Sequence, residues 1–218
     1  MNEFNQYYEK YLDLKTNVID DNNYLISCTN LRDEPINKKY FYLTIITEYN
    51  NRICISVSKN NYKSFKQLFE GSIKLTTLDE IYLNLKQKNL DSNIRRMYRM
   101  TMDLQKKFNL KKSNKFECIY LNEYRKYAYK FNNKIISYCK ISNTFHDFGN
   151  IVIWTDEQYR RQGLAEYLLS MVLTKCIELN IKPVYVVDIN NIPSINLAIK
   201  MGFYIRANEI IISEEKYE

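Results

Sequence analysis

Apolar and polar positions change period several times along the chain, and each change marks an element. Tyr40 to Thr47 and Arg52 to Ser58 are β-rich runs, and Glu48-Tyr49-Asn50-Asn51 between them predicts a hairpin. Asn61 to Phe69 and Thr77 to Lys88 follow with helical spacing, the second opening on Thr77-Leu78-Asp79-Glu80 with a cap and early acids. Asp91 to Phe108 extends the spacing and predicts a third helix, its basic run Arg95-Arg96-Met97-Tyr98-Arg99 a solvated face. The first 35 residues predict a helix and then irregular chain, with Asp20-Asp21, Asp33-Glu34 and Pro35 as punctuation.

Past the lysine-rich stretch from Gln105 to Lys115, a natural junction, the pattern tightens. Strands are predicted at Phe116 to Leu121, Ile135 to Ile141 and Ile151 to Thr155, with Asn132-Asn133 as a turn; Glu123 to Tyr129 is ambiguous. Two adjacent rows, Leu164/Leu168/Val172/Cys176 and Ala165/Leu169/Leu173/Ile177, then specify one amphipathic helix. Val184 to Val187 is a continuous apolar strand opened by Pro183 and ended by Asp188, so strand, helix and strand form a right-handed βαβ unit with parallel strands. A short helix from Pro193 to Met201 stops at Gly202-Phe203, and Ile210 to Ser213 is a last strand. The reading divides the chain into an N-terminal α+β region, 1–110, and a core, 111–218.

Composition removes several classes of function. The chain has 218 residues, and no apolar run approaches the about 20 needed to cross a bilayer as a helix. The first residues lack a basic stretch followed by an apolar one, so a cytoplasmic protein is expected. Five cysteines without a Cys-x-x-Cys pair predict reduced thiols, with Cys139 and Cys176 inside apolar patterns. A single histidine, His146, argues against zinc sites built from paired imidazoles, and no metal is expected. Four glycines cannot spell the dinucleotide fingerprint or the P-loop. The net charge of +7 is spread evenly, 17 basic against 13 acidic residues up to 110 and 15 against 12 after it. That distribution argues against a nucleic-acid partner, which calls for a basic stripe, and suits a surface that attracts an anionic ligand.

Chemistry concentrates where the strand ending at Thr155 hands over to the helix beginning at Leu164: Trp154-Thr155-Asp156-Glu157-Gln158-Tyr159-Arg160-Arg161-Gln162-Gly163-Leu164-Ala165. A helix N-terminus presents unpaired N–H groups and about half a positive charge, which favours phosphate. Gly163 and Ala165 leave room for a ligand at the backbone, and Arg160 and Arg161 add charge. The other reading is an ordinary strand-to-helix turn with two exposed arginines.

Arg160-Arg161-Gln162-Gly163-Leu164-Ala165 resembles the Arg/Gln-x-x-Gly-x-Gly/Ala motif of the GNAT N-acetyltransferase superfamily, and Asn191-Ile192-Pro193-Ser194-Ile195-Asn196-Leu197-Ala198-Ile199-Lys200-Met201-Gly202-Phe203 resembles its second signature. The match spans about residues 116 to 213 and is most similar to a bacterial subgroup with an extra N-terminal half. The resemblance implies a mixed, mostly antiparallel sheet around the parallel βαβ unit, acetyl-CoA as the acetyl donor, and a small-molecule or peptide amine as acceptor; the short apolar runs argue for no membrane partner. It implies further that Ile153, Trp154 and Thr155 line the pantetheine arm, that the N–H groups of Arg161, Gln162, Gly163, Leu164 and Ala165 hold the pyrophosphate beside Arg160, and that Asn191 and Ser194 lie close by. The proton-transfer residues depart from the family pattern: Ala198 stands where many members carry tyrosine, and Asn150 where many carry glutamate. Asp188, Asp147 and His146 are the candidate substitute bases, a surface or capping role being the other reading of each. The alternative is a non-catalytic acyl-CoA-binding or sensor module, and a second rival acetylates a macromolecule. The N-terminal region is expected on the acceptor side.

Overall fold

The computed structural model describes residues 2–16, 18–21, 24–37, 40–69, 77–88, 93–104, 108 and 112–215. In chain order the elements are α1 (Glu3–Leu12), β1 (Val18–Asp21), β2 (Tyr24–Thr29), β3 (Pro35–Asn37), β4 (Tyr40–Tyr49), β5 (Arg52–Ser58), α2 (Tyr62–Phe69), α3 (Leu78–Gln87) and β6 (Asn93–Thr101). They continue with β7 (Glu117–Leu121), β8 (Lys126–Phe131), β9 (Lys134–Phe145), β10 (Phe148–Thr155), α4 (Leu164–Glu178), β11 (Lys182–Asp188), α5 (Ile192–Met201) and β12 (Tyr204–Glu215). The chain forms two compact units, Met1–Tyr98 with Ala207–Glu218, and Arg99–Arg206. None of the described helices is long and apolar enough to cross a membrane.

In the first unit the strand order is β1-β2-β5-β4-β12-β6, with β3 beside β4. Asn50 and Asn51, both at positive φ (50° and 60°), close the β4–β5 hairpin; asparagine tolerates the left-handed region that such a turn requires. Thr77 and Glu80 form a reciprocal capping box that starts α3. Phe65 and Phe69 of α2, with Leu78, Ile81 and Leu85 of α3, pack with Ile46, Ile53, Ile55, Val57, Ile210 and Ile212 into one buried cluster. α1 stands apart from that cluster, and its Tyr8 hydroxyl donates to the buried Glu209 carboxylate at 2.7 Å.

The second unit has the order β6-β11-β10-β9-β8-β7, parallel between β11 and β10 and antiparallel from β10 through β9 and β8 to β7. The mixed, mostly antiparallel sheet with a parallel strand-helix-strand unit is the fold that the sequence predicts. Asn132 and Asn133 (φ 47° and 62°) turn β8 into β9. α4 buries Leu164, Leu168, Leu169, Val172, Leu173 and Cys176 across β8 to β11. α5 starts on Asn191 and Pro193 and stops at Gly202 (φ 99°), where the Phe203 and Gly202 N–H groups return to Ala198 and Ile199.

Three expectations fail. Asn93–Thr101 is a strand: arginine and methionine favour helices in isolation, but non-local pairing outweighs that preference. Its basic run is not a solvated face either. Arg99 is fully buried, Arg96 pairs with Asp79 and lies over the Tyr82 ring, and only Arg95 is exposed. The stretch after α1, expected irregular, holds β1, β2 and β3. Most of the expected junction, 105–107 and 109–111, lies outside the described residues.

Candidate functional site

The site grows from a failure of strand pairing. β10 and β11 run side by side only at Phe148↔Lys182, Gly149↔Pro183 and Asn150↔Val184; beyond these, β10 keeps only its other neighbour, β9, out to Thr155↔Ser137. A bulge at Gly149/Ile151 marks where the strands part. In a strand, one residue's N–H and C=O point to the same side and the next residue's point away. The Asp156 N–H donates to the Ile136 carbonyl (2.9 Å) and Ser137 Oγ donates to the Trp154 carbonyl (3.1 Å), so the even-numbered residues face β9. Ile153 and Thr155 therefore aim their backbone groups into the gap. On β11, the Lys182 N–H reaches the Asp147 carbonyl (2.6 Å), which places the backbone groups of Val186 on the gap's other wall.

Side chains brace the gap's open end. Ser137 spends its one proton on Trp154, so the Thr155 hydroxyl donates to Ser137 Oγ at 2.8 Å. Arg160 Nε donates to the Thr155 carbonyl (3.2 Å) while Nη1 pairs with Glu157 (3.1 Å). Arg160 is thus a brace, and Arg161 is the neighbouring cation with no ion-pair partner among the described residues. Trp154 contributes an exposed ring, stacked on Tyr138, since its carbonyl is committed to β9.

Arg161 (φ 61°) and Gly163 (φ 75°) both adopt the left-handed region, and Gly163 caps α4. The first N–H drawn back into the helix is that of Tyr167, onto Gly163 (3.1 Å). The N–H groups of Arg161, Gln162, Gly163, Leu164 and Ala165 find no acceptor among the described residues. A Cβ on Gly163 would meet nothing within 4 Å, so the space over this turn is open. Glu166, an acid in the same first turn, is neutralised by Lys200 at 2.6 Å. A row of unpaired donors, a helix dipole and a free guanidinium fit an anionic pyrophosphate.

Asn191 lies at the start of α5, its side chain accepting the Ser194 N–H (3.3 Å). The Ser194 hydroxyl is 2.7 Å from that of Tyr185, one residue beyond the last paired position of β11. Burial pushes the Tyr185 phenol up to about 12, against the Ser194 hydrogen bond, which lowers it. The sign of the linkage follows: a raised folded value holds the proton more tightly than the unfolded chain does. Tyr185 therefore contributes its full stabilisation below about pH 10, the ordinary tyrosine value, and loses it as the pH rises from there to 12. Between pH 10 and 12 denaturant unfolding should show the unsubstituted protein weakening more steeply than Tyr185→Phe; parallel curves would contradict this.

Asp188 ends β11 on the same side as the turn, and its carboxylate accepts the Asn190 N–H at 2.9 Å. His146 and Asp147 form the β9–β10 turn at the other end of β10, seven strand steps or roughly 23 Å from Thr155. The structure thus brings together Ile153, Thr155, Arg160 to Ala165 and Asp188 at one end of the strands, and leaves His146 and Asp147 at the opposite end. Ser137, which braces the gap from β9, and Val186, on its wall, are residues that the sequence reading missed; only strand parity and register reveal them.

A family model described as GNAT acetyltransferase matches residues 17–209. The chain belongs to this family. Among solved structures, this GNAT protein is similar to an N-acetyltransferase from Sphaerobacter thermophilus, at 11% identity over 65% of this chain and 57% of that one, TM-score 0.50. It is similar also to a GNAT-family acetyltransferase from Colwellia psychrerythraea, at 10% identity over 96% of each chain, TM-score 0.48. A third, yncA from Salmonella typhimurium, was solved with its cofactor acetyl-CoA; it shares 15% identity over 44% of this chain and 66% of its own, TM-score 0.36. The chain therefore spans less than two thirds of the Sphaerobacter and Salmonella proteins. No curated protein matches it in sequence.

Proposed function

We propose that this GNAT protein transfers an acetyl group from acetyl-CoA to a primary amine of a small molecule or peptide, by direct attack with donor and acceptor bound together. One observation carries the reading: a row of N–H groups from Arg161 to Ala165, unpaired among the described residues, stands at the mouth of a gap whose walls present the backbone groups of Ile153, Thr155 and Val186. When bound, acetyl-CoA supplies a thioester, the activated acyl group. Arg161 and the α4 N-terminus hold its pyrophosphate, and Ile153 and Thr155 pair with the amides of its arm as a third strand would. Any of their N–H groups left over is placed to stabilise the oxyanion of acyl transfer. Ser137 and Arg160 keep Thr155 in position. Asp188, alone of the three candidate bases at this end of the strands, takes one proton from the incoming ammonium; as the amide forms the carbon–sulfur bond breaks, and the second proton shed by the nitrogen leaves with the thiolate as free CoA thiol.

Ala198, buried within α5, and Asn150, in the bulge, favour a second reading, a non-catalytic acyl-CoA binder. Release of the CoA thiol, followed with a panel of primary amines and with none, separates the two. Release that depends on an amine, with an acetylated amine as product, is expected. Slow release indifferent to every amine would establish the binder instead.

A further inference from the structure

α1 and the α2–α3 pair cover much of the first unit's strands, but one stretch carries a cavity of about 330 Å³ lined by Tyr40 and Tyr42 of β4, Ile211 and Ser213 of β12, and Arg95 and Met97 of β6. The lining residues are spaced by two on each strand, so all six share one face. The volume lies in the range of small-molecule sites. Arg95 is exposed and has no partner among the described residues, whereas its neighbour Arg96 is paired with Asp79. A single guanidinium matches a planar carboxylate through two parallel hydrogen bonds, and its one positive charge balances a monoanion but not a phosphate dianion.

The rest of the lining selects the body of the ligand. Tyr40 and Tyr42 stand edge to face at 6.0 Å, and Met97 adds a polarisable thioether, surfaces that favour an aromatic ring. Ser213 donates its proton to the Asn93 carbonyl (3.2 Å), so at their 2.9 Å contact the Tyr40 hydroxyl must be the donor. The Tyr40 oxygen then keeps a lone pair for a donor on the ligand.

We propose that this cavity binds a small aromatic carboxylate, its carboxylate on Arg95, its ring between Tyr40, Tyr42 and Met97, and a ring hydroxyl or N–H on the Tyr40 oxygen. The site stands independently of acetyl transfer. Titration calorimetry with 4-hydroxyphenylacetate and with its neutral amide tests it on the unsubstituted full chain. The acid should bind at least about 10-fold more tightly than the amide, and Arg95→Met, with an unchanged circular-dichroism spectrum, should erase that preference. Equal affinity for acid and amide, no binding of the acid at 10 mM, or an Arg95→Met variant that binds as the parent does would each overturn the proposal. The comparison of acid with amide decides the matter even if the variant does not fold.

Discussion

With acetyl-CoA at about 100 times its Kd, the native protein gains about 2.7 kcal/mol. A chain of this size should then unfold about 5 to 10 °C higher. On the proposed reading the gain comes from the turn between β10 and α4, so Arg161→Glu/Gly163→Glu should abolish it. Two carboxylates would stand where five N–H groups and one guanidinium now face open space. Gly163→Ala should keep most of the gain, because its Cβ meets no atom within 4 Å and the substitution adds only backbone strain at φ 75°, of order 1 kcal/mol. Thermal unfolding of the three proteins with and without ligand checks the series. An unchanged shift in the double variant would remove this turn from the binding site.

The second large effect falls at the point where β10 and β11 part. A Cβ on Gly149 would lie 2.8 Å from the Cγ2 methyls of both Ile141 and Ile181. These methyls sit on β-branched side chains with little rotamer freedom, so the strands rather than the side chains must give way. Gly149→Val should cost about 1–3 kcal/mol, the usual range for overpacking. Because the strain sits at the apex of the gap, the variant should also bind acetyl-CoA more weakly than Arg160→Lys, which leaves the apex untouched. Denaturant unfolding and ligand titration measure the two effects separately. A variant as stable as the parent would mean that the apex yields without cost.

Local signals in the sequence are strong wherever this fold obeys them. The hairpin turn at Asn50-Asn51, the cap at Thr77, the rows of α4 up to Leu173 and Cys176, and the proline and glycine at the two ends of α5 depend on residues within a few positions of one another and form as read, whereas Ile177, the last of its row, is exposed. β6 depends on partners more than 80 residues away, as in the Thr101 hydroxyl bond to the Pro183 carbonyl, and its arginines and methionines point the wrong way. The membership of 207–218 in the first unit is likewise invisible to local pattern. At the candidate site, glycine beside arginines at a helix start leaves an anion cradle and an ordinary turn both open, but the turn itself is legible from residue types. The gap beside it is not. It exists because pairing stops at Asn150↔Val184, and nothing in Ile151 to Thr155 distinguishes a strand with two neighbours from a strand with one.

Amide hydrogen exchange, with and without acetyl-CoA, tests the central claim most directly. In the free protein the N–H groups of Arg161 to Ala165 find no acceptor among the described residues and should exchange fast. With acetyl-CoA bound, exchange should slow there and at Ile153 and Thr155, the residues whose backbone groups face the gap. Binding that slows exchange elsewhere and leaves both segments unchanged would contradict the account.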